Sequence, residues 1–183
     1  MPRIDEGAKK LLLNYHGLLA RVDHICQEIE SQYADHLACR AGCAGCCRQI
    51  TLFPVEAMAL AEAVECLPTD EAERIRDRAR KTSPGDPCPL LEDQLCLLYS
   101  GRPVICRTHG LPILTDQDGQ KSVDFCPRNF RDVVSLPGTA VIDLDRLNMT
   151  LAAINALFVE KLSADTPLEQ ERIPIAEALT SWL

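Results

Sequence analysis

Cys39-Arg40-Ala41-Gly42-Cys43-Ala44-Gly45-Cys46-Cys47 places four cysteines within nine residues, separated by small residues, glycine and one arginine. Four more, Cys88, Cys96, Cys106 and Cys126, follow in two polar segments marked by proline. Metals bind the thiolate form of cysteine, and one soft divalent ion or one iron–sulfur cubane takes four such ligands. These eight cysteines match the arithmetic of two four-thiolate sites, or of one site plus four spare redox-active or structural thiols. The expectation is that they fold the chain around metal.

Spacing narrows the options. Cys43 and Cys46 form a two-residue-gap knuckle, in which Gly45 relieves the backbone. Adjacent Cys46 and Cys47 send their side chains apart in most backbone conformations. They are expected at two different centres, or one of them is not a ligand. Zinc ribbons use paired short knuckles, and only one knuckle here is short. Cys88-Pro89 and Cys126-Pro127 resemble the Cys-Pro pairs of cluster-binding cysteines. An iron–sulfur cluster is therefore preferred to Zn2+.

Arg40, Arg48, Arg102, Arg107 and Arg128 accompany the cysteines. A four-thiolate site is negatively charged whichever metal fills it, and guanidinium groups near sulfur offset that charge. Arg102 and Arg107 bracket Cys106 and are expected to support the cofactor this way. His109 follows Cys106 by three residues, and His36 precedes Cys39 by the same interval. Either could replace a cysteine, but a hydrogen-bonded or exposed histidine is the plainer reading of both.

Outward from the cysteines the pattern is helical. Leu11, Tyr15, Leu18, Val22, Ile25, Ile29, Tyr33 and Leu37 recur at steps of three and four, so residues 8–37 read as one amphipathic helix. Cys26 lies beside that stripe and reads as a small buried hydrophobe. Pro54 suits a first helical position and opens a helix to Leu67, where Cys66 is core or surface. Asp70 to Lys81 reads as a solvated outer helix. The breakers Ser83 to Pro87 lead into irregular chain carrying Cys88, Cys96 and Cys106. Leu111 to Thr115 and Lys121 to Phe125, around an Asp-Gly turn, read as a hairpin returning Cys126 toward Cys106 and His109. Asp143 caps a helix from Leu144 to Leu162, with Leu147, Leu151, Ile154, Leu157, Phe158 and Leu162 on one side. Pro167 interrupts the chain, and Pro174 to Leu183 forms a final helix docking Ile175, Leu179 and Trp182. The fold expected is mainly α, a single domain over 1–183, with helix-rich ends around a loop-rich, cysteine-bearing middle and one small β-hairpin.

Composition bounds the partners. Aromatics at 4% imply an aliphatic core, and a formal charge of −8 argues against nucleic acid. No apolar run approaches the roughly 18 residues of a membrane span. The N-terminus lacks the apolar core of a secretory signal. A cytoplasmic, reducing location is therefore expected, where cysteines serve metal or redox chemistry rather than a disulfide scaffold. A protein partner is left open. No phosphate loop, nucleophile elbow or His-Glu-x-x-His is present.

The ordered motifs Cys39-x3-Cys43-x2-Cys46-Cys47, Cys88-Pro89-Leu90-Leu91, Cys96-Leu97-Leu98-Tyr99 and Arg102-Pro103-x2-Cys106-Arg107 resemble the zinc- or iron-chelating cysteine-cluster family, described by its CxxCxxCC motif. The resemblance covers about residues 39–126, with a first gap of three residues instead of two. It implies metal binding. A similar module accompanies methyl transfer in flagellin lysine methylases, but that likeness ends with the cysteine region. The expected function is an accessory, electron-transfer or structural metal protein. The alternative is an enzyme, a methyltransferase or redox catalyst, using the same centre.

Overall fold

The computed structural model describes residues 6–117, 119–162 and 172–180. The chain is mainly helical, with two- and three-stranded sheets. Helices α1 (Glu6–Leu11) and α2 (Leu13–Gln32) meet at a turn at Leu12, so the expected continuous helix is broken there and ends early. Leu12 is fully buried, and α1 packs on a later helix beyond the turn. Tyr33 leaves helical backbone, and its ring meets Phe130 edge-on at 5.6 Å. The buried stripe runs through Tyr15, Leu18, Val22, Cys26 and Ile29, while Ile25 is 41% exposed. Cys26 therefore lies on the stripe, where its thiol donates to the Arg107 carbonyl at 3.6 Å.

Strand β1 (Thr51–Leu52) leads into α3 (Pro54–Glu65), with Pro54 at its first position. This helix is apolar around most of its circumference because two cores share it. Val55 and Met58 join the α2 side with Val104, Leu151 and Phe158. Ala57, Leu60 and Val64 join a second cluster with Ile75, Leu90, Leu98 and Ile175. Tyr15, Phe130 and Phe158 are among the largest fully buried side chains, so the core is not purely aliphatic as the composition implied. Helix α4 (Thr69–Lys81) is the solvated helix expected, burying only Ala72, Ile75 and Ala79.

The segment read as irregular contains more order than expected. Strands β2 (Leu91–Glu92) and β3 (Leu95–Cys96) form a tight hairpin, followed by α5 (Val104–Thr108). Asp93 and Gln94 make its two-residue turn with φ of 47° and 62°. That is the primed turn geometry which favours Asn-Gly, so residues without glycine concealed it from a sequence reading. The expected hairpin forms as β4 (Ile113–Gln117) and β5 (Gln120–Asp124). Strand β6 (Ile142–Asp143) adds in parallel to β4.

Helix α6 (Leu144–Leu162) follows, capped by the Asp143 carboxylate, which accepts from the Arg146 N–H at 2.9 Å. Leu151 and Phe158 are buried, but Leu157 is 47% exposed, against the expected stripe. Strand β7 (Ile173–Pro174) pairs with β1, and α7 (Ile175–Thr180) docks Ile175 and Leu179 against α3 and α4. The expected interruption at Pro167 and the docking of Trp182 lie outside the described residues.

Candidate metal centre

Loops carry most of the cysteines, and backbone hydrogen bonds place them. The Cys47 carbonyl accepts from the Cys88 N–H at 3.2 Å, beside an antiparallel bridge between Arg48 and Pro87. The Cys88 carbonyl accepts from Leu91, which starts the hairpin and stands opposite Cys96. Cys106 lies in the first turn of α5, its N–H donating to the Pro103 carbonyl at 3.0 Å. The four thiols of Cys47, Cys88, Cys96 and Cys106 lie within electrostatic reach of one another. Cys88 and Cys96 also pack against the second hydrophobic cluster.

Cys39 and Cys126 meet at a different place, around Gly110. The Cys126 N–H donates to the Gly110 carbonyl at 3.4 Å. Gly110 has φ of +91°, and a Cβ added there would stand 3.2 Å from the Cys39 sulfur and 3.5 Å from the Cys126 Cβ. Only glycine suits both the backbone and the space. Asn129, 1% exposed, spans this junction. Its Nδ2 donates to the Gly110 carbonyl at 2.8 Å and to the Cys39 sulfur at 3.3 Å, and its Oδ1 accepts from Ala38 at 2.9 Å. The thiolates of Cys43, Cys46 and Cys126 would raise the Cys39 thiol further by their charge, so these four share a neighbourhood. Arg128 Nη1 reaches the Cys43 sulfur at 3.7 Å.

Cys46 and Cys47, adjacent in the chain, link the two neighbourhoods. All ten cysteines are free thiols. Burial, ahead of every other cause, raises the thiols of Cys39, Cys46, Cys47 and Cys96. It pushes Cys88 up to about 11 and Cys106 up to about 12. The thiolate is both the nucleophile and the metal ligand, so burial works against either role unless a nearby cation offsets the charge. Among the described residues, no group of three or more His, Cys, Asp or Glu is arranged to hold an ion as it stands. The donor chemistry nevertheless fits thiolate-bound metal, with sulfur in two neighbourhoods and cationic or amide N–H groups aimed at each.

The two supporting arginines differ. Arg102 Nη1 donates to the Cys106 carbonyl at 3.2 Å, its Nε to the Tyr99 carbonyl at 3.0 Å, and it stacks on the Tyr99 ring. Its charge lowers the Cys47, Cys96 and Cys106 thiols. Arg107 is 8% exposed and engages Asp23 of α2 and the carbonyls of Arg102 and Ser100. It therefore holds α5 in place, one step back from the sulfurs. His36 and His109 are both exposed. Cys66 is exposed at the end of α3, beside a groove lined by His16, Glu62 and Leu98.

Two residues carry parts of the site that the sequence reading passed over. Asn129 follows Cys126 by three positions, the offset of a turn closing on a ligand, and that spacing was its only signal. Glu56, 4% exposed, accepts from the Phe53 N–H at 3.1 Å and the Val104 N–H at 3.3 Å. It thereby fixes the start of the helix that bears Cys106. A buried glutamate on an apolar helix was the available clue.

Residues 38–127 match a family model, CxxCxxCC, described as "Putative zinc- or iron-chelating domain". No curated protein and no solved structure matches the chain.

Proposed function

We propose that this chain, whose residues 38–127 belong to the CxxCxxCC zinc- or iron-chelating family, is an accessory or electron-transfer protein working in a reducing compartment. Its metal ligands are Cys39, Cys43, Cys46, Cys47, Cys88, Cys96, Cys106 and Cys126. An iron–sulfur cluster is preferred to zinc. What supports the reading is that hydrogen bonds tie distant cysteine segments together, Cys88 to Cys47 and Cys126 to Gly110 through the main chain and Asn129 to the Cys39 sulfur. A bound cluster would supply one-electron transfer, and zinc would supply a cross-link.

The chain's own residues would do the rest. Arg102 offsets thiolate charge near Cys106, while Asn129 and Arg128 donate to sulfur at Cys39 and Cys43. Such donors around thiolate ligands tune both affinity and potential. Structural metal binding adds its free energy to folding, because the unfolded chain has no preformed site.

The test is anaerobic purification followed by metal and sulfide analysis and a visible spectrum. Iron with matching sulfide and thiolate-to-iron absorption supports the cluster. Stoichiometric zinc in a colourless sample reverses the choice of metal. Cys43→Ser is expected to lose metal, and full retention would overturn the ligand set.

A further inference from the structure

Helix α6 carries apolar residues on two opposite sides. Its inner side holds Leu151 and Phe158, both buried in the core shared with α2, with Leu147, Ile154 and Leu162 packed beside them. At about 100° per residue, the opposite side centres near Ala153. Arg146, Met149, Ala156, Leu157 and Glu160 fall within roughly 60° of that direction. These residues and Ala153 are all exposed, Met149 at 67% and Leu157 at 47%. The middle of the outward face is therefore apolar, and charges of opposite sign stand at its two ends. Helix α4 shows the ordinary solvated alternative, burying three residues and filling most of the rest with charge.

The order along this face is self-complementary. Ala153 lies midway between Met149 and Leu157, and midway between Arg146 and Glu160. Turning a second copy of α6 end over end about Ala153 sets Arg146 of each copy level with Glu160 of the other. The same turn sets Met149 level with Leu157. A parallel alignment would bring each charge against its like. The ion pairs among the described residues engage neither Arg146 nor Glu160, so both charges are available. Ala153 and Ala156 are small enough to let two backbones approach closely.

We propose that the outward face of α6 is the contact surface of a symmetric dimer, in which two copies of this chain lay that helix antiparallel about a two-fold axis beside Ala153. Burial of Met149 and Leu157 drives the association. The Arg146–Glu160 pairs at the rim fix its direction and register. The stripe from Arg146 to Glu160 is about 21 Å long at 1.5 Å per residue. One helix pair of that length is small beside the roughly 800 Å² per partner of a standard interface. The dimer therefore exchanges with monomer, half-dissociated at roughly micromolar concentration.

Sedimentation velocity on the full chain, over a range of concentrations and under reductant, tests this. Reductant keeps exposed Cys39, Cys46 and Cys66 from cross-linking copies covalently. A concentration-dependent dimer is expected. Ala153→Arg sets like charges together at the axis and should leave a monomer, and Leu157→Gln should weaken the dimer at least about 10-fold. Both positions are exposed, so far-ultraviolet circular dichroism should stay unchanged, which separates a lost contact from a lost fold. Arg146→Glu and Glu160→Arg should each raise the dissociation constant about 10-fold. Both reversals suit the helix dipole, so neither weakens α6 itself. Combined in one chain, they should restore the dissociation constant to within about threefold of the native value. A monomer at every concentration would give the face to another occupant and overturn the proposal. A dimer that survives Ala153→Arg, or a double reversal as weak as the single ones, would overturn it too. None of these outcomes bears on metal binding by the cysteines, which metal analysis reads separately.

Discussion

Gly110 and Glu56 show how single residues set the site. At φ of +91°, with the Cys39 sulfur 3.2 Å from where a Cβ would lie, Gly110→Ala should cost about 1–3 kcal/mol in chemical denaturation and reduce bound metal. Glu56 is subtler. Its carboxyl accepts two backbone N–H bonds, and burial holds it above the ordinary glutamate range. Ionising Glu56 is therefore harder in the fold than in the unfolded chain, so its contribution is greatest at acid pH. That contribution is lost as pH rises from the ordinary glutamate range through the raised value. A glutamine offers one acceptor where two N–H groups need one each, so Glu56→Gln should cost about 1–3 kcal/mol. The gap to the native protein should narrow as pH rises through that window, and urea titrations at several pH values read this directly. A gap that widened would refute the sign. The cysteines themselves were legible from type and spacing. Asn129 and Gly110 were not, because what matters is their approach to Cys39, some 70 to 90 positions away in the chain.

Among the elements, the β2–β3 hairpin and α5 do the most to place sulfur. The hairpin turns through Asp93 and Gln94, both with positive φ, a conformation costing roughly 1–2 kcal/mol for a residue with a Cβ. Gln94→Gly should therefore stabilise the chain by about 1 kcal/mol, read as a higher denaturant midpoint at unchanged slope. A lower midpoint would mean that the Gln94 side chain makes a contribution exceeding its backbone strain. Helices α3, α4 and α6 were readable in sequence because caps, breakers and apolar spacing agree within each. The hairpin and α5 were not, since their turn residues are atypical and the helix is only one turn long. The α1–α2 break was equally hidden, because Leu12 and its neighbours have helical propensity and tertiary packing turns the chain there.

At the scale of the molecule, the Arg107–Asp23 pair joins α2 to the segment holding Cys106. Asp23→Ala would leave a largely buried guanidinium without its carboxylate and should destabilise by about 1.5–3 kcal/mol. Metal loss should accompany this more strongly at Cys106 than at Cys39, as alkylation mapping can show; equal loss at both would mean the pair does not act through α5. By itself the sequence determined the mainly helical class, the hairpin that leads into Cys126, and a resemblance to a zinc- or iron-chelating domain over residues 38–127. Residue type and local spacing suffice for those, because they depend on ligand softness, turn geometry and helical periodicity. Only the tertiary structure decided which cysteines stand near which, that α3 serves two cores, and that the C-terminal strand returns to β1. Those outcomes depend on contacts between segments far apart in the chain, where burial of apolar surface, and not local propensity, selects the partner.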